Sequence, residues 1–235
     1  MGSSRISVRA GGLSLIVGAI AFMGVFSYLA ARFNYPEVLD GAAPDVLPRL
    51  LATGPAGRTV WAIYAFLPLF WIPAGVGAYR AYKRSHPGAM MLALQFAVVA
   101  SFSMMLGLMR WPSMHWRLAQ LYATADAGQR SVLDALFDGF NTYLGNYIGE
   151  FLGEVSISVF FFISAWAMLK SGAASRWLAF AGIATSVLGV LGAFRNVTSA
   201  VVNISEINNF LLPLWMIVFG VILLRHRGPA PTVGA

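Results

Sequence analysis

Six apolar stretches, at roughly 11–31, 60–82, 90–109, 148–169, 177–194 and 210–224, decide what this chain can become. Each approaches the ~20 residues that a helix needs to cross the hydrocarbon core of a bilayer. A soluble domain of 235 residues has no interior large enough to hide them: 58% of the chain is apolar or aromatic, 11% is charged, and mean hydropathy is +0.71. In lipid every backbone N–H and C=O must be paired within the protein, so runs of this kind are read as helices. The expected fold is all-α, one polytopic integral membrane domain over 1–235 with six transmembrane helices. The first run is longer than the apolar core of a signal peptide and is expected to remain as helix one. With no Cys there is no disulfide framework, thiolate nucleophile or Cys-ligated metal.

The net charge of +7 points at first to a polyanion, but the positions of the charges point elsewhere. Assigning alternate sides to the six spans puts Arg5, Arg9, Arg80, Lys83, Arg84, Lys170, Arg176, Arg225 and Arg227 on one side with no acid. All nine acids fall on the other side, with the remaining seven arginines. The positive-inside rule then predicts both termini in the cytoplasm and residence in a cell inner (plasma) membrane. No basic element is long enough to track a phosphate backbone, so nucleic acid is excluded as a partner.

Two connections stand out on the acidic side. Residues 33–57 hold Pro36, Pro44, Pro48 and Pro55, while Val46, Leu47, Leu50 and Leu51 predict a short interfacial helix, a candidate lid. Residues 111–147 form the other outer-side connection, with Pro112 expected to end helix three. From Ser131 to Lys170 there is no Pro, and the text reads as one long helix or two joined near Gly145. Forty helical residues would run about 60 Å, twice a bilayer core, so the first half must project or bend.

Helix four carries the informative pattern. Gly145, Gly149 and Gly153 recur every four residues, the spacing that lets another helix approach closely. Tyr143, Tyr147, Glu150, Glu154 and Ser158 share a second, polar face. Carboxylates in or near a span are costly and face a cavity or a cation. Glu150 and Glu154 would share a proton unless an arginine intervenes, and Arg110 or Arg195 could be that arginine. Trp111 and His115 beside Arg110, Asn196 beside Arg195, and Glu206 in the loop before helix six complete the candidate ligand-binding set. No Walker loop, H-E-x-x-H or G-x-S-x-G motif is present, and an Asp134/Asp138 pair is too little for a metal, so neither a metal nor a cofactor is predicted.

The runs Phe33-Asn34-Tyr35-Pro36-Glu37-Val38-Leu39, Leu108-Met109-Arg110-Trp111-Pro112, Tyr143-Leu144-Gly145, Gly149-Glu150-Phe151-Leu152-Gly153 and Ser175-Arg176-Trp177-Leu178 resemble the bacterial family called domain of unknown function 4386. The resemblance covers nearly the whole chain and implies a small multi-span protein of the bacterial inner membrane, with no activity attached. Three functions fit these residues. The first is a non-enzymatic protein binding or passing a small amphiphile, lipid or proton through an outer-side pocket. The second is an accessory subunit that packs on a partner helix or a second copy through the glycine ridge. The third is an outer-interface enzyme using Glu150 or His115 as acid and base.

Overall fold

The structure, a computed structural model, describes residues 2–226. Arg227, counted above among the bases, lies outside them. From the start, helix α1 (Gly2–Phe33) leads into a short 3-10 turn and the ten-residue α2 (Ala43–Ala52). Next come α3 (Gly54–Phe66) and α4 (Trp71–Tyr82), joined by a 3-10 turn at Leu67–Phe70. Helix α5 (Pro87–Met109) continues through a wide π turn into α6 (Trp116–Tyr122), and α7 (Ala127–Phe140) through another into α8 (Gly153–Ser171). Helices α9 (Arg176–Ala193) and α10 (Val202–Arg225) follow. Counting the joined segments as single rods, six helices among the described residues are long and apolar enough to cross a membrane.

The rods pack in chain order, α1 on α4, α4 on α5, α5 on α8, α8 on α9 and α9 on α10, and α10 returns to α1 to close a ring. Up-down alternation puts both described ends of the chain at one end of the bundle, here the terminal end; the opposite one is the cap end. Glycine lets the ring close tightly. A Cβ on Gly12 would lie 2.6 Å from the Gly220 carbonyl oxygen, and one on Gly11 would lie 2.8 Å from the Gly77 Cα. The interior of the terminal half is filled by Trp71, Phe160, Phe161, Trp215 and Phe219, with Trp215 and Phe219 stacked at 5.8 Å.

A second core fills the cap half. Val46, Leu47 and Leu50 of α2 are buried against α6 and α7, so the proline-rich connection folds back over that end of the bundle. Helix α7 starts with a reciprocal cap in which the Asp126 carboxylate accepts from the Gln129 N–H at 2.9 Å and the Gln129 side chain accepts from the Asp126 N–H. Asp126→Ala is expected to lower stability by about 1 kcal/mol, read as a lower unfolding temperature and faster amide exchange over 127–130.

Pro112 does not end helix three, contrary to expectation. Proline lacks an N–H and clashes with the carbonyl four residues back; here the helix widens, the His115 N–H reaches the Arg110 carbonyl at 2.8 Å, and the rod runs on to Tyr122. Much of 111–147 is therefore a helical hairpin turning at 123–126. Helix four is one continuous rod over Ala127–Ser171, and its irregular stretch, a π helix at Asn141–Leu152, falls on Gly145 where a join was expected.

Candidate functional site

The cap half holds two polar groupings, both positioned by the widened stretches of helices three and four. The first is a clasp. Arg195, in the 3-10 turn that ends α9, puts Nη1 and Nη2 on the two oxygens of Glu154 at 2.6 and 2.8 Å. The same Nη2 donates to Glu150 at 2.8 Å and Nη1 to the Ser205 hydroxyl at 2.7 Å. One guanidinium thus ties helix four, the end of α9 and the start of α10. Asn196 adds to it, donating to the Asn146 carbonyl at 2.9 Å and to Glu150 at 3.3 Å, while the Tyr147 hydroxyl donates to the Asn196 carbonyl at 3.3 Å. The intervening arginine is Arg195, so the two carboxylates need not share a proton.

The second grouping surrounds Arg110. Its side chain is only 4% exposed, although among the described residues no carboxylate lies within ion-pair distance. Gly145 makes this burial sterically feasible, since a Cβ there would sit 2.5 Å from the Arg110 Cζ. Nε and Nη2 donate to the Asn141 amide oxygen at 3.2 and 3.1 Å, and Nη1 donates to the Gly107 carbonyl at 2.6 Å. The Asn141 NH2 donates in turn to the Leu39 carbonyl at 2.8 Å, which ties the group to the turn after α1. Of five guanidinium N–H groups, two remain.

Beside Arg110 lies an aromatic stack. The guanidinium sits over the Trp111 ring, Trp111 stacks on Trp61 at 4.8 Å, and His115 meets Trp111 edge-on at 4.7 Å and Phe137 at 4.6 Å. Trp61, Trp111 and His115 are wholly buried, yet Trp61 Nε1, Trp111 Nε1 and both His115 ring nitrogens have no hydrogen-bond partner among the described residues. Each such atom costs on the order of 1–3 kcal/mol when left unpaired. Tyr35 closes the grouping, its hydroxyl 3.5 Å from that of Tyr64. Burial pushes the Tyr35 phenol up to about 12, so it remains a neutral O–H at physiological pH; Tyr64 and Arg110 pull its pKa down, and Glu150 and Glu154 push it up.

Of the residues expected to form a site, Arg110, Trp111 and His115 come together in one grouping, and Tyr147, Glu150, Glu154, Arg195 and Asn196 in the other. Two fall outside both. Tyr143 is exposed on the far face of its helix, and Glu206 is exposed near the start of α10. The ridge of Gly145, Gly149 and Gly153 does receive a helix, but that helix is α5 of the same chain. Gly149 meets Gly107 backbone to backbone, and Gly153 meets Met104. Asn141, Trp61, Tyr64 and Tyr35 join the Arg110 grouping without standing out in the sequence. Only Asn141 has a readable signal, lying one four-residue step before Gly145 on the ridge's own face.

Among the described residues no three His, Asp or Glu side chains stand close enough to hold a metal ion. Neither a curated protein nor a solved structure matches the chain. A family model does match, over residues 10–226, and its description is a domain of unknown function (DUF4386). With nearly the whole chain inside that match, the protein belongs to the DUF4386 family, a domain of unknown function built here as a six-rod helical bundle.

Proposed function

We propose that this is a multi-pass protein of the bacterial inner membrane, with the terminal end in the cytoplasm, that binds a small amphiphile through an anionic head at Arg110. The orientation is supported by the absence of acids from the terminal end and the confinement of all nine to the cap end. The binding role rests on one observation: among the described residues, a buried guanidinium without a carboxylate partner stands beside four unpartnered ring nitrogens. Buried polar atoms are nearly always bonded, and a cluster of exceptions marks a place built for something else to accept from. A carboxylate head would take the two remaining Arg110 N–H groups, an indole N–H and the His115 ring N–H, and its apolar body would lie against Phe33, Trp61 and Trp111.

Binding fits better than passage. A solute crossing the bundle would have to displace the stacked Trp215 and Phe219 and the rings of Trp71, Phe160 and Phe161 at the terminal end. Glu150 and Glu154 serve as ballast rather than as ligands, since Arg195 already occupies both. An acid–base role for His115 gains no relay partner, because its neighbours are Trp111 and Phe137. A partner helix or second copy would use some face other than the glycine ridge.

The test compares dodecanoate with dodecanol as stabilisers of the detergent-purified chain. Wild type is expected to unfold several degrees higher with the acid and hardly higher with the alcohol. His115→Phe, which replaces an unsatisfied ring by an apolar one, is expected to be at least as stable as wild type without ligand. It should need about tenfold more dodecanoate for the same shift. Equal responses to acid and alcohol, or an unchanged dodecanoate dependence in both His115→Phe and Arg110→Lys, would sink the proposal.

A further inference from the structure

At the terminal end, where the ring closes between its first and last helices, a cavity of about 500 Å³ is lined by Arg5, Arg9, Leu224, Arg225 and His226. Arg5 and Arg9 lie one turn apart on the same face of α1. The tight Gly12–Gly220 contact, with the Leu224 N–H 3.0 Å from a Cβ at Gly12, fixes that face against the end of α10. Among the described residues none of the three arginines has a hydrogen bond or an ion pair, and no acid occurs at this end of the bundle. Guanidinium groups gathered around one cavity repel one another, and nothing in the described chain offsets that repulsion.

His226 completes the lining of the cavity. The ring of His226 packs edge-on against Tyr82 at 5.7 Å, and burial lowers the His226 pKa, so this imidazole adds no charge at neutral pH. Three cations without an anion call for a group that is anionic and rich in acceptor oxygens.

We infer that this cavity is a binding site for a phosphate group, held by the forks of Arg5, Arg9 and Arg225 at the seam between α1 and α10. Arginine matches phosphate through paired N–H donors, and basic pockets between spanning helices are where anionic headgroups lodge. The surroundings favour the phosphate of an anionic phospholipid over free phosphate: Ile6 and Leu13, flanking Arg9 on α1, are 69% and 55% exposed and provide apolar surface for acyl chains. The site lies at the opposite end of the bundle from Arg110 and does not depend on what binds there.

The test uses the full chain in detergent, offered dioleoyl phosphatidylglycerol, dioleoyl phosphatidylcholine or inorganic phosphate, with bound lipid counted by native mass spectrometry and unfolding followed in parallel. Wild type is expected to retain phosphatidylglycerol over phosphatidylcholine. Each of Arg5→Gln, Arg9→Gln and Arg225→Gln should weaken retention about fivefold, the effect of about 1 kcal/mol per basic residue. Arg84→Gln and Arg176→Gln remove charge from the same end without touching the cavity, and should leave retention unchanged. The triple lysine variant keeps the charge that orients the chain and should still lose most of the preference, since it lacks the forks. Should inorganic phosphate stabilise wild type with the same arginine dependence while lipid does not, the site stands and its ligand is the free ion. Equal losses from the control substitutions, or equal retention of both lipids, would overturn it.

Discussion

Arg195→Gln is expected to destabilise the bundle by about 3–5 kcal/mol, because it leaves two carboxylates one helical turn apart with no cation. The side chains of Arg195, Glu150 and Glu154 are only 22%, 22% and 18% exposed, so water reaches them poorly. The loss should appear as a large drop in unfolding temperature of the detergent-purified protein. Adding Glu150→Gln and Glu154→Gln to the same chain should recover much of it, since three neutral amides leave no buried charge unpaired. Arg195→Lys should recover less, because a single ammonium cannot span both oxygens of Glu154 while also reaching Glu150 and Ser205. An Arg195→Gln chain that melts like wild type would show that the three helices are held together elsewhere.

The second large effect belongs to Gly149→Leu. A Cβ at Gly149 would lie 2.9 Å from the Gly107 Cα, and one at Gly107 would lie 2.5 Å from the Gly149 Cα, so the obstacle is backbone on both sides. A leucine at either position must push α5 off helix four, at a cost above the ~1–3 kcal/mol usual for overpacking. Both variants should give little folded protein. Gly139→Leu, where a Cβ meets nothing within 4 Å, should fold at least as well as wild type because leucine suits a helix better than glycine. A Gly149→Leu chain with unchanged stability and a smaller assembly would instead place the ridge at an interface between chains.

The bundle itself was legible because its constraint is one-dimensional: a run long enough to cross a bilayer has few alternatives to a helix. The ridge and the Glu150/Glu154 face were legible for the same reason, since four-residue spacing on a helix is geometry. What spacing could not supply was pairing across helices. Arg110 and Arg195 look equivalent as partners for the two glutamates, and only the placement of the turn that ends α9 separates them. The fate of Pro112 is hidden because proline normally breaks the ladder it enters, whereas here a widened turn absorbs it and thereby carries His115 into the interior. Tyr35, Trp61 and Tyr64 are indistinguishable from ordinary apolar filling, because an unpartnered N–H is a property of surroundings and leaves no mark on the residue's own neighbours in sequence.

The closure of the ring between α1 and α10 also bears on how the protein is made. During synthesis α1 is present before any of its neighbours, and one of its flanks stays uncovered until the last helix emerges. That flank carries Gly12, whose missing side chain makes room for α10 at Gly220, Leu223 and Leu224. The bundle is therefore a barrel stave assembly in which the first stave waits for the last, and a chain halted before α10 would leave the glycine-bearing flank of α1 uncovered.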